Sequence, residues 1–486
     1  MSRKRLLIMF ISAILLGASG IFFGLNWSEK EKAPEHQEEA IEAPKNKKDS
    51  ISTEVNLDMK KLERAYELIT SSYVEKVNET KLIEGAIQGM LNTLNDPYSV
   101  YMDAKTASQF NESLDSSFNG IGAEITVREG KLMIIAPFKN SPAEKAGIKP
   151  KDQIIKIDGE SIVGLDLYEA TLKIRGEKGT TVELEIMRDG ITEPLTFDVK
   201  REEIPYETVH AAVKEIKNKK IGYLEITSFA EKTAADFKKQ LMKMEKKGID
   251  GLLIDVRGNP GGLLSSVEEI VGLLVTNKKP YVQIEQRDGK KTKYYSKLKE
   301  SKGYPIAVLI DEGSASASEI LAGALKEVEN YALVGEKTFG KGTVQQAIPM
   351  GDGSNIKLTM FKWLTPNGNW IHQSGIKPTI EVKQPDYFYT HSLTVDKPLS
   401  LDMSHSQVQI AQEMLRGLGF GTGRVDGYYS EQTEKAVRAF QFQSGLPQTG
   451  IIDDKTAQAL EGNILEAISK EENDLQLQAA LHLLAR

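Results

Sequence analysis

The chain has no cysteine among its 486 residues. Thiol catalysis, disulfide bridges, cysteine-based metal sites and a lipoprotein anchor are therefore excluded. Histidine is scarce too. The six present are scattered, with no HExxH or paired-ligand spacing, so neither a catalytic metal nor another cofactor is expected. Nor is there a strong excess of one charge: 62 basic and 69 acidic residues leave a net −7, which argues against general nucleic-acid binding. What remains, 40% hydrophobic and 27% charged, is ordinary globular material, long enough for about three domains.

Arg3-Lys4-Arg5 precede a charge-free stretch from Leu6 to Trp27, long enough to span a bilayer. A basic start followed by an apolar run directs a chain out of the cytoplasm. Ala18-Ser19-Gly20 offers a signal-peptidase site, so residues 1–27 are expected to be a membrane anchor or a cleaved signal, and the protein extracytoplasmic. Residues 28–54 are rich in Glu, Lys, Pro and Ala and predict a disordered tether. Over 55–115 the apolar residues Leu62, Tyr66, Ile69 and then Ile83, Ile87, Met90, Leu91 recur at helical spacing. They predict an N-terminal helical region whose apolar faces are core, with a homodimer seam as the alternative.

From 116 to 200 the pattern changes to short strands and glycine turns. Gly120-Ile121-Gly122-Ala123 opens an alternating strand, a helix follows at Leu165–Ile174, and Val182–Met187 ends at an Arg188-Asp189-Gly190 turn. The order of these motifs resembles a PDZ domain of bacterial envelope proteases. The resemblance implies that the backbone N–H groups of Ile121 to Ala123 receive a peptide's terminal carboxylate, while the adjoining strand pairs with the peptide. Arg175, at the end of the groove helix, is either a signal to a neighbouring domain or a cation at a helix C-terminus.

Residues 201–390 alternate strands and helices, the layout of a layered α/β sheet with functional loops at its carboxyl edge. Gly251–Val256 runs into Arg257-Gly258-Asn259-Pro260-Gly261-Gly262, Pro305–Ile310 into Gly313-Ser314-Ala315-Ser316-Ala317-Ser318-Glu319, and Tyr331–Val334 into Gly340-Lys341-Gly342. Beyond a hinge, 403–463 resembles the three-helix peptidoglycan-binding domain of wall hydrolases, on its Asp426-Gly427, Phe440-Gln441 and Gly450. Peptidoglycan is thereby a candidate partner. Ile464–Leu484 predicts a final amphipathic helix within 464–486, on which His482 is a packing residue. The predicted fold class is multidomain α/β.

The serine run and the Gly-Lys-Gly are, taken singly, an N-cap and a turn. Gly335 to Gly342 nearly spells a P-loop, but Gly342 replaces the Ser/Thr that would hold magnesium, and Thr343–Ile348 alternates like a strand. Together with Arg-Gly-Asn-Pro-Gly-Gly, the motifs resemble the C-terminal processing peptidases, tail-specific serine–lysine proteases, over about Leu57 to Pro385. The resemblance implies that Ser316 is the nucleophile, Lys341 its general base and Gln345 the residue that orients the lysine. It also implies an oxyanion hole from the backbone N–H of Ala317 and of Gly261 or Gly262, and substrates with free C-termini. A lysine normally holds its proton to about pH 10.4, so the base must be desolvated. Phe339, Val344 and Ile348 are the apolar company expected for it. Two alternatives stay open: a Ser–His–Asp triad built with His372 and Asp255 or Asp311, and an inactive PDZ and wall-binding scaffold.

Overall fold

The computed structural model describes residues 53–486 except 116, 129–130, 139, 163–164, 166, 189–190, 192, 391–392 and 394. The predicted anchor and the tether as far as residue 52 lie outside the described residues. The chain divides into two units, one of residues 53–113 with 343–361 and one of 114–342 with 362–486.

In the first unit, helices Thr53–Ser72 and Glu79–Asn92 form where the apolar spacing places them, the second capped by Asn78, whose side chain accepts from Lys81 N. Their apolar faces are not core as expected: Leu62, Ile69, Ile83 and Met90 are exposed, and only Leu91 is buried. Strand Val100–Met102 lies antiparallel to residues 355–357. Beside it Lys357 is buried, its Nζ 4.9 Å from the centre of the Phe110 ring.

The second unit contains the PDZ sheet, whose antiparallel order is Ala123–Arg128, Lys131–Pro137, Gln153–Ile157, Thr181–Met187, Leu195–Lys200. Alternate residues Val182, Leu184 and Ile186 are fully buried, the period-2 pattern of a sheet with one face on a core. Strand Ala123–Arg128 is at the sheet's edge, with no second partner among the described residues.

A mostly parallel sheet runs Val209–Ile216, Lys219–Ile226, Gly251–Asp255, Ile306–Ile310, Ala332–Gly335, Ile380–Glu381; only the first pair is antiparallel. Its two central strands are buried at every residue, as in a sheet covered on both faces. One cover is a surprise. The predicted helix Ile464–Leu484 is two: Ile464 ends up inside the helix Asp454–Ser469, and a separate helix, Leu475–Leu484, begins after the turn at Glu471–Asn473. The reason is a local N-cap, Asp474, whose carboxylate accepts from Leu477 N. Leu477, Ala480, Leu481 and Leu484 of this last helix pack on Ile221, Leu253, Ala307, Leu309 and Val334 of the sheet. His482 is exposed, its Nδ1 2.8 Å from Gln478 O.

Helices Ser406–Gly417, Glu431–Gln443 and Asp454–Ser469 share one core around Val408, Tyr429, Val437, Phe440 and Leu460. Gly450 earns its place at φ +72: its N–H donates to Gln441 Oε1 and its carbonyl accepts from Tyr429 Oη.

Candidate active site

Three adjacent parallel strands, ending at Asp255, Ile310 and Gly335, deliver three loops to one edge of the sheet. The first is 256–263, the second 311–316 and the third 336–342. Hydrogen bonds stitch them together: Ala315 N donates to Asn259 O (3.0 Å), Gly258 N to Asp311 Oδ1 (2.8 Å) and Phe339 N to Ser314 O (3.1 Å).

Ser316 sits at the start of helix Ala317–Glu329 with φ 54° and ψ −111°. A non-glycine residue there is strained by about 1–3 kcal/mol, a cost that functional sites commonly carry. What holds it is Glu319, one turn on. Its wholly buried carboxylate takes the Ser316 backbone N–H on Oε2 (2.9 Å), and that same oxygen takes the Lys341 backbone N–H (2.8 Å). Oε1 accepts from Thr338 Oγ1 (2.6 Å) and Gly340 N (2.8 Å). Burial pushes the Glu319 carboxyl above the usual range, and the four donors pull against that. One side chain thus fixes the serine turn and the lysine loop to each other.

Lys341 is 1% exposed. The company expected for it does not cover it, since Phe339 and Ile348 are themselves well exposed. The loop is held by tryptophans instead: Trp363 Nε1 donates to Lys341 O and Trp370 Nε1 to Gly342 O, both at 2.8 Å. The residues after it form a strand, Thr343–Pro349, as the rejection of the P-loop requires.

Beside Ser316 stand the two glycines. A Cβ on Gly261 (φ +107°) would meet Ser316 Cβ at 2.9 Å and Ala317 N at 3.1 Å; one on Gly262 (φ +145°) would meet Phe229 O at 2.1 Å. Only glycine fits either position. Gly261 N is already spent on Asn259 Oδ1 (2.8 Å), while Asn259 Nδ2 holds Ile226 O (2.7 Å). Of the two glycine donors foreseen, Gly262 is the one whose N–H is not committed in this way.

Gln345 belongs to the first unit. Its Nε2 donates to Thr343 Oγ1 and Thr359 Oγ1, both at 3.0 Å, which leaves Oε1 buried as an acceptor without a partner. The aspartates of the rival triad are engaged elsewhere. Asp255 accepts from Tyr223 Oη and Arg257, and Asp311 from Gly258 N, Gly313 N and Ser314 Oγ. His372 stacks on Trp370 at 5.1 Å.

In the PDZ domain, Gly120 closes strand Ser117–Gly120, Ile121 is buried, and Gly122 (φ +72°) approaches Ser141 so closely that a Cβ would lie 2.5 Å from that residue's Cβ. Ala123 begins the edge strand. The Arg175 guanidinium lies over the Phe118 ring, 4.6 Å from its centre, and its Cγ would be 3.7 Å from a Cβ on Gly120. The last carbonyls of the groove helix are capped by Arg201, which donates through Nε to Ile174 O (2.8 Å) and through Nη2 to Lys173 O (3.0 Å).

Comparison with known proteins supplies the family and the domains. The profile "Peptidase family S41" matches residues 220–382, "PDZ domain" 119–200, "Putative peptidoglycan binding domain" 404–460 and "Activating protease CtpB N-terminal domain" 14–106. The chain is 55% identical to the carboxy-terminal processing protease CtpB of Bacillus subtilis over 481 residues, 99% of each chain. It is 42% identical to CtpA of the same organism, over 88% of this chain and 90% of that one. The chain belongs to the carboxy-terminal processing proteases of peptidase family S41. It is a serine protease.

Two of these contacts escape a reading of the sequence. Glu319 lies inside the serine motif, but its service to Lys341 needs the third loop folded over it. Arg201 lies two strands beyond the helix it caps. Of the two, only the capping pattern Ser-x-x-Glu at 316–319 left a signal that could have been followed.

Proposed function

We propose that the protein is an endopeptidase that captures free C-termini on its PDZ domain and cleaves the chain nearby with a serine–lysine pair. Ser316 Oγ attacks the scissile carbonyl carbon and passes its proton to the neutral Nζ of Lys341. The oxyanion takes N–H bonds from Ala317 and Gly262. Collapse breaks the C–N bond, and the lysine ammonium returns the proton to the leaving amine. Water, deprotonated by the same amine, then hydrolyses the ester and restores both residues. Gln345 is the residue proposed to orient the lysine, and an amide would do so without adding a negative charge that would favour the ammonium.

The observation that carries this reading is the single Glu319 oxygen shared by the backbone N–H groups of Ser316 and Lys341. Burial of the lysine supports it further, because burial disfavours the charged form. At the PDZ domain the edge strand from Ala123 and the loop Gly120 to Gly122 suit strand addition and carboxylate capture. Arg175, beside Gly120, is the residue proposed to report an occupied groove to the protease.

The remaining assignments rest on sequence. Residues 1–27 would place the enzyme at the extracytoplasmic side of the membrane, and the 403–463 domain would meet peptidoglycan. The exposed apolar faces of Thr53–Ser72 and Glu79–Asn92 support a homodimer, which light scattering would test. The deciding assay for the chemistry is cleavage of peptides with a free or an amidated C-terminus by wild type, Ser316→Ala, Lys341→Ala and His372→Ala. Loss in the first two variants, retention in the third, and slower cleavage of the amide are expected. Unchanged cleavage by Ser316→Ala would sink the mechanism, and absence of any cleavage by wild type would favour a binding scaffold.

A further inference from the structure

The last helix does more than cover the sheet. Its first turn reaches two of the three catalytic loops. Arg257, the first loop residue after strand Gly251–Asp255 but one, folds its side chain back onto Asp255 through Nε and Nη2 (2.7 Å for Nη2). The outer side of the guanidinium is received by Asp474, Nη1 to Oδ1 at 2.9 Å and Nη2 to Oδ2 at 2.8 Å, with Gln476 Oε1 3.1 Å from Nη1. This is the bidentate fork that makes an arginine–carboxylate pair geometrically specific. Asp255 is itself fixed by Tyr223 Oη at 2.8 Å. Gln476, 1% exposed, also donates to Val382 O (2.9 Å) and lies 3.3 Å from Glu336 Oε2, and Glu336 opens the lysine loop.

We infer that Asp474 is a positioning residue for the protease. By holding Arg257 from outside, it fixes the start of the 258–262 loop and so the Gly262 N–H beside Ser316. The inference rests on the serine–lysine reading above. Its physical content is that Arg257 has a charged partner on each side, one local in sequence and one 217 positions away. With Asp474 gone, the guanidinium keeps Asp255, two positions earlier in its own chain, and the single neutral contact from Gln476, and the loop that continues from it loses its charged external reference. A displacement of about 1 Å at a reacting group can cost as much as 10²-fold in rate.

Asp474 also caps the helix, so the variant must separate the two roles. Asp474→Asn keeps a side-chain oxygen for the cap, since asparagine is as good a cap as aspartate, and removes the charge and the second oxygen offered to Arg257. Asp474→Ser does the same with less bulk. In the full-length protein, hydrolysis of fluorescein-labelled casein is measured well below each variant's melting temperature. Affinity is measured for a peptide aldehyde, which forms the tetrahedral adduct, and for the matching product peptide, which does not.

Both variants are expected to lower kcat about tenfold with KM nearly unchanged, less than the roughly 10²–10³ cost of deleting an oxyanion donor outright. Aldehyde affinity should fall in step while product affinity holds. Arg257→Ala combined with Asp474→Asn should be no slower than Arg257→Ala alone. A merely structural cap would lower the melting temperature and leave kcat and aldehyde affinity where they were, and that result overturns the inference. So does an additive loss in the double variant. If Ser316→Ala retains activity, the underlying mechanism fails; if it is dead while both Asp474 variants match wild type, only the positioning role fails.

Discussion

The backbone N–H of Lys341 donates to Glu319 Oε2 at 2.8 Å, so the proposed base is placed by a residue of the nucleophile's own helix. The acid is buried and its four donors are all fixed in the fold. An amide in its place would turn an NH₂ toward backbone N–H groups, leaving donors facing donors. Glu319→Gln is therefore expected to lower kcat about a hundredfold through misplacement of the loops, with KM less affected. Steady-state kinetics on the folded variant, checked by circular dichroism, decides it.

The Ser316 backbone supplies a second test, independent of activity. At φ 54° and ψ −111° a side chain is a burden that glycine lacks. Ser316→Gly should be more stable than Ser316→Ala by about 1 kcal/mol. Equal denaturation midpoints for the two would show that the turn relaxes once the hydroxyl is gone.

Gly262 and Gly272 make a contrasting pair. A methyl on Gly262 would sit 2.1 Å from Phe229 O, whereas one on Gly272, inside helix Leu264–Leu274, meets nothing within 4 Å. Gly272→Ala should be neutral or stabilising by about 0.5 kcal/mol. Gly262→Ala should displace the loop, abolish cleavage and cost several kcal/mol, in the range of about 3 or more. Thermal melts and casein hydrolysis report both.

Lys357 contributes one pH dependence to stability. Burial holds its amine down to about 8, with Asp96 pulling weakly the other way. In the unfolded chain the amine keeps its proton to about 10.4. Between those values the unfolded state binds more protons, so stability rises with pH as this penalty is relieved. Lys357→Met should lack that rise and be more stable than wild type at pH 7, by up to about 3 kcal/mol. Urea titrations between pH 7 and 10 would show whether the two curves converge.

The catalytic sheet was legible because its signals are local. A buried apolar run followed by a glycine turn occurs three times in succession, and the turns carry Gly261, Ser316 and Lys341. The PDZ loop was legible for the same reason. What the sequence hid is pairing at a distance. Apolar spacing in 53–92 is the same for a core as for an exposed face, so Leu62, Ile69, Ile83 and Met90 could not declare themselves. Phe339 and Ile348 neighbour Lys341 in the chain yet turn outward, and its loop is held by Trp363 and Trp370 from a later segment. The break before the last helix was written in Asp474, an N-cap inside a pattern that otherwise reads as one continuous helix.

Gln384 and Asp474 touch: Gln384 Nε2 lies 2.6 Å from Asp474 Oδ1, and Leu475 N donates to Gln384 Oε1 at 3.0 Å. The chain therefore leaves the protease and comes back to it at nearly one point, with the three-helix module between. Cutting the gene short after the catalytic sheet would strip the sheet of the helix that seals Leu253 and Leu309. Splicing out the three-helix module and rejoining its ends with a few residues would not, and another module of similar end spacing could be installed in the gap.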